Sequence, residues 1–211
     1  MIEKKQNRIL DEFDRLYPDA KCELHYTTPL ELLIAVLLSA QTTDASVNKV
    51  TPELFKKYHS ASDYRDANQE DIEQLIRRIG LYRNKARSIK KMAAMLCEKY
   101  DGEVPQSINE LITLPGVGRK TASVVVGEAF RVPSVPVDTH VERVSKRLGF
   151  AKNEDSVLVV EKKLKRTLPR ERWNKLHHQF IFFGRYFCKA QSPRCKECQL
   201  VDLCKEKNKK L

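Results

Sequence analysis

Leu114-Pro115-Gly116-Val117-Gly118-Arg119-Lys120-Thr121-Ala122 sets two glycines and a lysine at the mouth of an apolar helix, and Asp138 follows eighteen residues after the lysine. Glycines let backbone N–H groups approach a phosphate closely, and the positive end of a helix dipole adds to the attraction, so the segment is a natural anion site. A lysine in that first turn opposes the dipole at a cost of about 0.3 to 1 kcal/mol. It is therefore either thrown outward, as most lysines are, or kept for chemistry. The dipole end and Arg119 both disfavour the protonated amine and so raise its nucleophilic fraction. Asp138 pulls the other way, which suits it to accept a proton during attack and to stabilise developing positive charge. It is equally a natural N-cap ahead of Thr139 and His140.

A second constellation lies at the C-terminal end. Cys188, Cys195, Cys198 and Cys204 follow a C-x6-C-x2-C-x5-C spacing within the last 24 residues, while Cys22 and Cys97 stand apart. That asymmetry reads as a ligand set rather than a disulfide framework, and the two outliers read as ordinary buried or partly buried residues. Zinc ribbons bring two C-x2-C knuckles and this segment has one, so the spacing favours a 4Fe-4S cluster while leaving tetrathiolate zinc open. An electron carrier is a further alternative for such a cluster. Lys189, Arg194 and Lys196 sit in the same loop, either as a solvated charge run or as contacts to a polyanion.

The chain of 211 residues is 41% apolar, enough for a packed core in one domain or two small ones. Thirty-nine basic against 28 acidic side chains leave a formal charge of +11, which suits a polyanionic partner without proving one. No secretory pattern opens the sequence, and the longest apolar run, 30–38, is too short to span a bilayer. A cytoplasmic protein is expected, nucleoid-associated if prokaryotic.

Helix signals recur from end to end with few strand patterns and no hairpin dipeptides, so the expected fold class is all-α. Thr28-Pro29-Leu30-Glu31 reads as a capping box launching a buried helix through Leu38, and Ser107-Ile108-Asn109-Glu110 repeats the device. Asn68 opens a helix that Gly80 should close, and 82–100 carries Ile89, Met92, Ala93 and Leu96 on one face. A short helix from Ser107 must stop near Leu114, before Pro115. Helices are then expected over 119–129, from Asp138 through Leu148, over 155–167 and over 170–187.

Three phosphate-binding readings compete for the hairpin. A P-loop needs glycine where Arg119 stands, and a dinucleotide fingerprint would need its third glycine at Thr121 and a strand before it. What remains is a hairpin whose backbone amides grip a DNA phosphate without reading bases.

Here the sequence resembles the helix-hairpin-helix DNA glycosylases, through residues 114–122 and Val137-Asp138-Thr139-His140. The match to the endonuclease III branch is close, and the likeness extends to Leu38-Ser39-Ala40-Gln41-Thr42-Thr43-Asp44, to Ile79-Gly80-Leu81-Tyr82 and to the cysteine spacing. The resemblance implies that Lys120 is the nucleophile assisted by Asp138, and that Cys188, Cys195, Cys198 and Cys204 hold a 4Fe-4S cluster. It also implies that Gln41 fills the space a flipped base vacates and that Leu81 wedges the opposite strand; Gly116, Val117 and Gly118 of the hairpin and Lys189 and Lys196 of the basic cysteine loop are expected to contact DNA. Taken alone, Gln41 could cap a helix end and Leu81 could make the apolar contact of a glycine cap. Adenine glycosylases of similar fold place a catalytic glutamate near position 37, where this chain has Leu37.

The implied activity is removal of oxidised or saturated pyrimidines from double-stranded damaged DNA, with 3′ strand cleavage at the abasic site. The alternatives are a non-catalytic DNA-binding hairpin module and a monofunctional adenine glycosylase. The expected layout is a helical domain over 22–132, with the hairpin at about 107–129, and a cluster domain from 1–21 plus 133–211, its cysteine loop at 188–204. A DNA cleft is expected between them, in a monomer without membrane association.

Overall fold

The structure, a computed structural model, describes residues 2–211, with side chains from residue 4 onward. Among the described residues there is no β-strand, and no helix is long and apolar enough to cross a membrane. The chain divides into two compact units, Glu23–Val132 and a second made of 1–22 with 133–211.

The helix α1 spans Ile2–Leu16 and belongs to the second unit. The first unit is built from α2 (Pro29–Leu38), α3 (Asp44–Asn48), α4 (Thr51–Lys57), α5 (Ala61–Asp66), α6 (Gln69–Ile76), α7 (Tyr82–Lys99), α8 (Ile108–Leu111) and α9 (Arg119–Ala129). The second continues with α10 (Thr139–Arg147), α11 (Val157–Thr167) and α12 (Trp173–Phe182). The helix α2 buries every residue from Leu32 to Leu38, so it is hydrophobic all round and forms the centre of its unit. It packs against α9, α7 and α3, while α7 also packs against α5 and α6. The inner face of α7 is the expected stripe of Ile89, Met92, Ala93 and Leu96, all buried. In the second unit, Ile9 and Phe13 of α1 meet Val141 and Val144 of α10, Val160 and Leu164 of α11, and Phe180 of α12 in one core. Phe13 and Phe180 stand edge to face at 5.0 Å, a geometry that aromatic quadrupoles favour.

Several local expectations are redrawn. Thr28 caps α2 by accepting from the Glu31 N–H at 3.2 Å. The Glu31 carboxylate, however, accepts from the backbone and hydroxyl of Thr27, at 2.5 and 2.7 Å, one residue before the cap, so the box is not reciprocal. At Ser107 the return bond runs from hydroxyl to the Glu110 carboxylate, 2.6 Å, instead of from the backbone. The reciprocal box is found at Ser60 and Asp63, which pattern reading passed over because aspartate stands where glutamate or glutamine is usual. The segment 170–187 is not one α-helix. A 3-10 turn (Arg170–Arg172) precedes α12 and a π-helical turn (Phe183–Phe187) follows it. That turn holds Gly184, where a Cβ would lie 2.9 Å from the His140 Cβ, so α10 packs on the backbone itself. Gly80 does not close α6: the helix ends at Ile76 with Arg77 as its cap, and the residue that turns left-handed is Leu81, φ 57°.

Candidate active site, hairpin and cysteine loop

Leu114 to Val117 form a turn in which Pro115 fixes the first corner and Gly116, at φ 80°, takes the left-handed second corner. The Val117 N–H donates to the Leu114 carbonyl at 3.1 Å, and the Val117 side chain is buried. Its part in the hairpin is thus to hold the turn. Gly118 is extended (φ −86°, ψ 170°) and stands as the N-cap of α9. The two glycines therefore differ in kind. A Cβ at Gly116 would lie 2.8 Å from the Ser88 Cβ and 3.2 Å from Leu37 Cδ1, whereas a Cβ at Gly118 would meet nothing within 4 Å. Gly116 is required by the fold, while Gly118 keeps the approach to the helix start open, where first-turn amides lack intrahelical partners.

Gly116→Ala is expected to destabilise the protein by about 1 to 3 kcal/mol through strain and overlap, read as a lower thermal midpoint. Gly118→Ala should stay within about 1 kcal/mol of the parent. A Gly116→Ala melt that matches the parent would contradict this assignment of the turn.

Lys120 is the second residue of α9 and is exposed, as is Arg119. Asp138 belongs to the other unit, half-buried at the start of α10. Its Oδ1 accepts from the N–H groups of His140 and Val141, both at 2.8 Å, so the capping role is realised. His140 is held by its neighbours: Nδ1 lies 3.2 Å from an Arg143 guanidinium nitrogen, and burial lowers the imidazole pKa. Leu37 is buried beneath the hairpin, which makes its position an apolar support for Gly116.

The four cysteines of the C-terminal loop line one apolar cavity, together with Leu148, Phe183, Phe187 and Arg147. Among the described residues no group of three or more His, Cys, Asp or Glu side chains is placed to hold a metal ion. Four thiols around a shared apolar space, with cations beside them, are nevertheless the donor set that a larger iron-sulfur centre needs. Arg147 of α10 points one guanidinium nitrogen at both Cys188 Sγ (3.4 Å) and the Lys189 carbonyl (2.8 Å). Arg143 binds the Cys188 carbonyl at 3.3 Å and that of Gly184 at 2.7 Å. Burial pushes the Cys198 thiol up to about 11 and raises that of Cys188, against the pull of Arg147. Lys189 and Lys196 are both exposed on this loop.

Gln41 and Leu81 project from two loops of the first unit. Both are exposed, Leu81 at 60%, and both take left-handed backbone angles, φ 55° and 57°. A bulky side chain at positive φ is strained, and such strain collects at functional positions. Sequence reading missed three residues that organise these places, namely Lys85, Arg143 and Arg147. For Lys85 a signal existed, because it falls on the buried stripe of α7, four residues before Ile89.

The sequence profile of the HhH-GPD superfamily base excision DNA repair proteins matches residues 34–170. The chain belongs to this superfamily. It is 57% identical over 211 residues to endonuclease III of Bacillus subtilis (strain 168), covering 100% of this chain and 96% of that protein. It is 44% identical over 209 residues to endonuclease III of Escherichia coli (strain K12), covering 99% of each. A solved structure of a trapped endonuclease III–DNA covalent intermediate, an estranged-adenine complex, superposes with a TM-score of 0.92 at 60% identity, covering 97% of this chain and 96% of that one. Within the HhH-GPD superfamily the chain is thus an endonuclease III-type base excision repair enzyme, a DNA glycosylase and abasic-site lyase.

Proposed function

We propose that this HhH-GPD protein removes oxidised or saturated pyrimidines from duplex DNA and cuts the strand 3′ to the resulting abasic site through a lysine Schiff base. The observation that carries the reading is an exposed lysine at the second position of the helix that the Pro115–Gly116 turn opens. The hairpin grips a backbone phosphate with amides of the helix start, and Lys189 and Lys196 add sequence-independent attraction. The damaged nucleotide turns out of the stack, at a cost of a few kcal/mol that damage reduces. Gln41 occupies the vacated space and Leu81 wedges the opposite strand, as apolar side chains do at other kinked steps.

Lys120 Nζ, having given a proton to Asp138 or to water, attacks C1′ of the sugar, and the base leaves with the electrons of the glycosidic bond. Ring opening gives an imine between Nζ and C1′. Loss of a C2′ proton then expels the 3′ phosphate by β-elimination. Leu37 offers no carboxylate at the position where adenine glycosylases of similar fold use one, which disfavours adenine excision.

Cys188, Cys195, Cys198 and Cys204 would hold a 4Fe-4S cluster. When bound, it crosslinks the loop 188–204 and fixes Lys189 and Lys196 in place. Purified protein is expected to contain iron and acid-labile sulfide in equal amounts and to show the broad visible absorption of such a centre. Stoichiometric zinc without sulfide would overturn the assignment.

The deciding assay for the activity uses duplexes carrying thymine glycol, 5-hydroxycytosine, an abasic site or an adenine mispair, with borohydride to trap the imine. Base release and a trapped adduct on the pyrimidine lesions are expected. Binding without either would make the protein a non-catalytic module, and release from the adenine mispair alone would make it an adenine glycosylase.

A further inference from the structure

Lys85 is a lysine where the fold has placed an apolar stripe. It stands one turn into α7, is 7% exposed, and lies on the face that carries Ile89 and Met92. Its ammonium donates to three oxygens: the Leu38 carbonyl at 2.8 Å, the Ala40 carbonyl at 2.7 Å and Thr42 Oγ1 at 3.1 Å. An ammonium has three donors, and here each meets an acceptor, which is what makes a buried charge tolerable.

The three acceptors bracket Gln41. Leu38 ends α2, where helix carbonyls lose their partners and the dipole is negative, and the loop to Thr42 follows directly. Within it, the Thr42 N–H reaches the Ser39 carbonyl at 3.0 Å, and Gln41 is left-handed and exposed. Lys85 also stands in the first turn of the helix that Leu81 caps: its N–H donates to the Leu81 carbonyl at 3.0 Å, the helix bond any residue there would make, so the side-chain contacts tie the Gln41 loop to the turn behind Leu81. Leu81 is the left-handed N-cap of α7 and makes no side-chain cap of its own.

We propose that Lys85 is a positioning residue that locks the Gln41 loop and the Leu81 turn into one unit, so that both side chains are presented to duplex DNA together. The functional half of this rests on the reading of Gln41 and Leu81 as inserting residues. A neutral side chain would leave the Leu38 and Ala40 carbonyls without their charged donor, and the loop would relax out of its strained backbone. The two insertions would then cease to be preorganised, and opening a paired duplex would bear the ordering cost. Burial also lowers the pKa of the Lys85 ammonium, as expected for a desolvated cation. Three oxygens around it favour the charged form.

The test uses the full-length purified enzyme and Lys85→Met, which keeps most of the length and removes the charge and donors. Hydrogen exchange is followed in the segments 38–44 and 79–85. Single-turnover rates are measured on a paired thymine glycol duplex and on a single-stranded abasic oligonucleotide. Exchange should quicken about tenfold or more in 38–44, while 79–85, which keeps its backbone bond from residue 85 to Leu81, should change less. Paired-lesion processing should fall about 100-fold and single-strand cleavage about threefold or less. Unchanged exchange in 38–44 overturns the lock. Equal loss on both substrates reduces Lys85 to a structural residue and overturns its positioning role.

Gln41→Ala and Leu81→Ala, run alongside, separate the two claims. If they lose both substrates equally, the insertion reading fails, while hydrogen exchange still decides whether Lys85 locks the loops. If they show the paired-substrate selectivity and Lys85→Met does not, the insertion reading stands and the proposal falls. Should Lys85→Met fail to fold, Lys85→Arg carries the same measurements. Its planar fork keeps the charge but cannot match three oxygens grouped around a compact ammonium, so an intermediate loss of the same selectivity is expected.

Discussion

Lys120→Ala should abolish the borohydride-trapped adduct and lower strand cleavage at an abasic site by about 1000-fold or more. The reason is chemical. Alanine cannot form an imine, and catalysis that depends on a covalent intermediate loses that route entirely when the nucleophile is removed. The fold should not suffer. Lys120 is exposed in the first turn of α9, where a cation opposes the helix dipole, and alanine is a better helix former, so stability should hold or rise by about 0.3 to 1 kcal/mol. A gel assay of trapped adduct beside a thermal melt checks both halves. A Lys120→Ala protein that still traps at the parental rate would move the nucleophile elsewhere and remove the basis of the proposed mechanism.

Asp138→Asn is the second large effect, and it separates two roles that share one side chain. Both cap bonds of α10 run to Oδ1, at 2.8 Å each. Asparagine keeps that acceptor and is as good an N-cap as aspartate, so stability should change by no more than about 1 kcal/mol, most of it the lost charge at the helix N-terminus. What asparagine cannot do is accept a proton or stabilise a cation with a full negative charge. Glycosylase turnover should therefore fall about 100- to 10,000-fold, the range expected for loss of a positioned acid–base group. The comparison is with Asp138→Ala, which loses the cap as well and should melt about 1 kcal/mol lower. Retained turnover in Asp138→Asn would leave Asp138 as a cap alone. Parallel loss of turnover and stability would mean that only folding was damaged.

The differences between expectation and structure follow one physical line. Most expectations that rest on neighbouring residues survive, although the return bond of both expected capping boxes runs elsewhere. Helix α9 runs Arg119–Ala129 because Pro115 stops what precedes it and Gly116 and Gly118 reset the chain, and Asp138 caps α10 because an aspartate before a helix does so at short range. The larger errors appear where two elements must agree on one junction. Gly80 looks like the helix terminator, but α7 must start at Tyr82, and that requirement transfers the left-handed angle to Leu81. The helix Ile2–Leu16 goes unpredicted, although Ile9, Leu10 and Phe13 carry its buried face, because a charged N-terminal stretch shows its purpose only once α12 is there to cover it.

Sequence alone determined the hairpin, the lysine at its exit, the aspartate cap and the spacing of the four thiols, since each is a pattern within about twenty residues. Tertiary structure decided which glycine is obligatory, because the atoms that crowd Gly116 belong to Ser88 and Leu37, far away in the chain. It decided that the four cysteines share a cavity beside Arg147. It also decided the role of Lys85, whose acceptors lie 43 to 47 residues upstream. A lysine's type announces a charge, but only the folded chain determines whether water or buried carbonyls receive it.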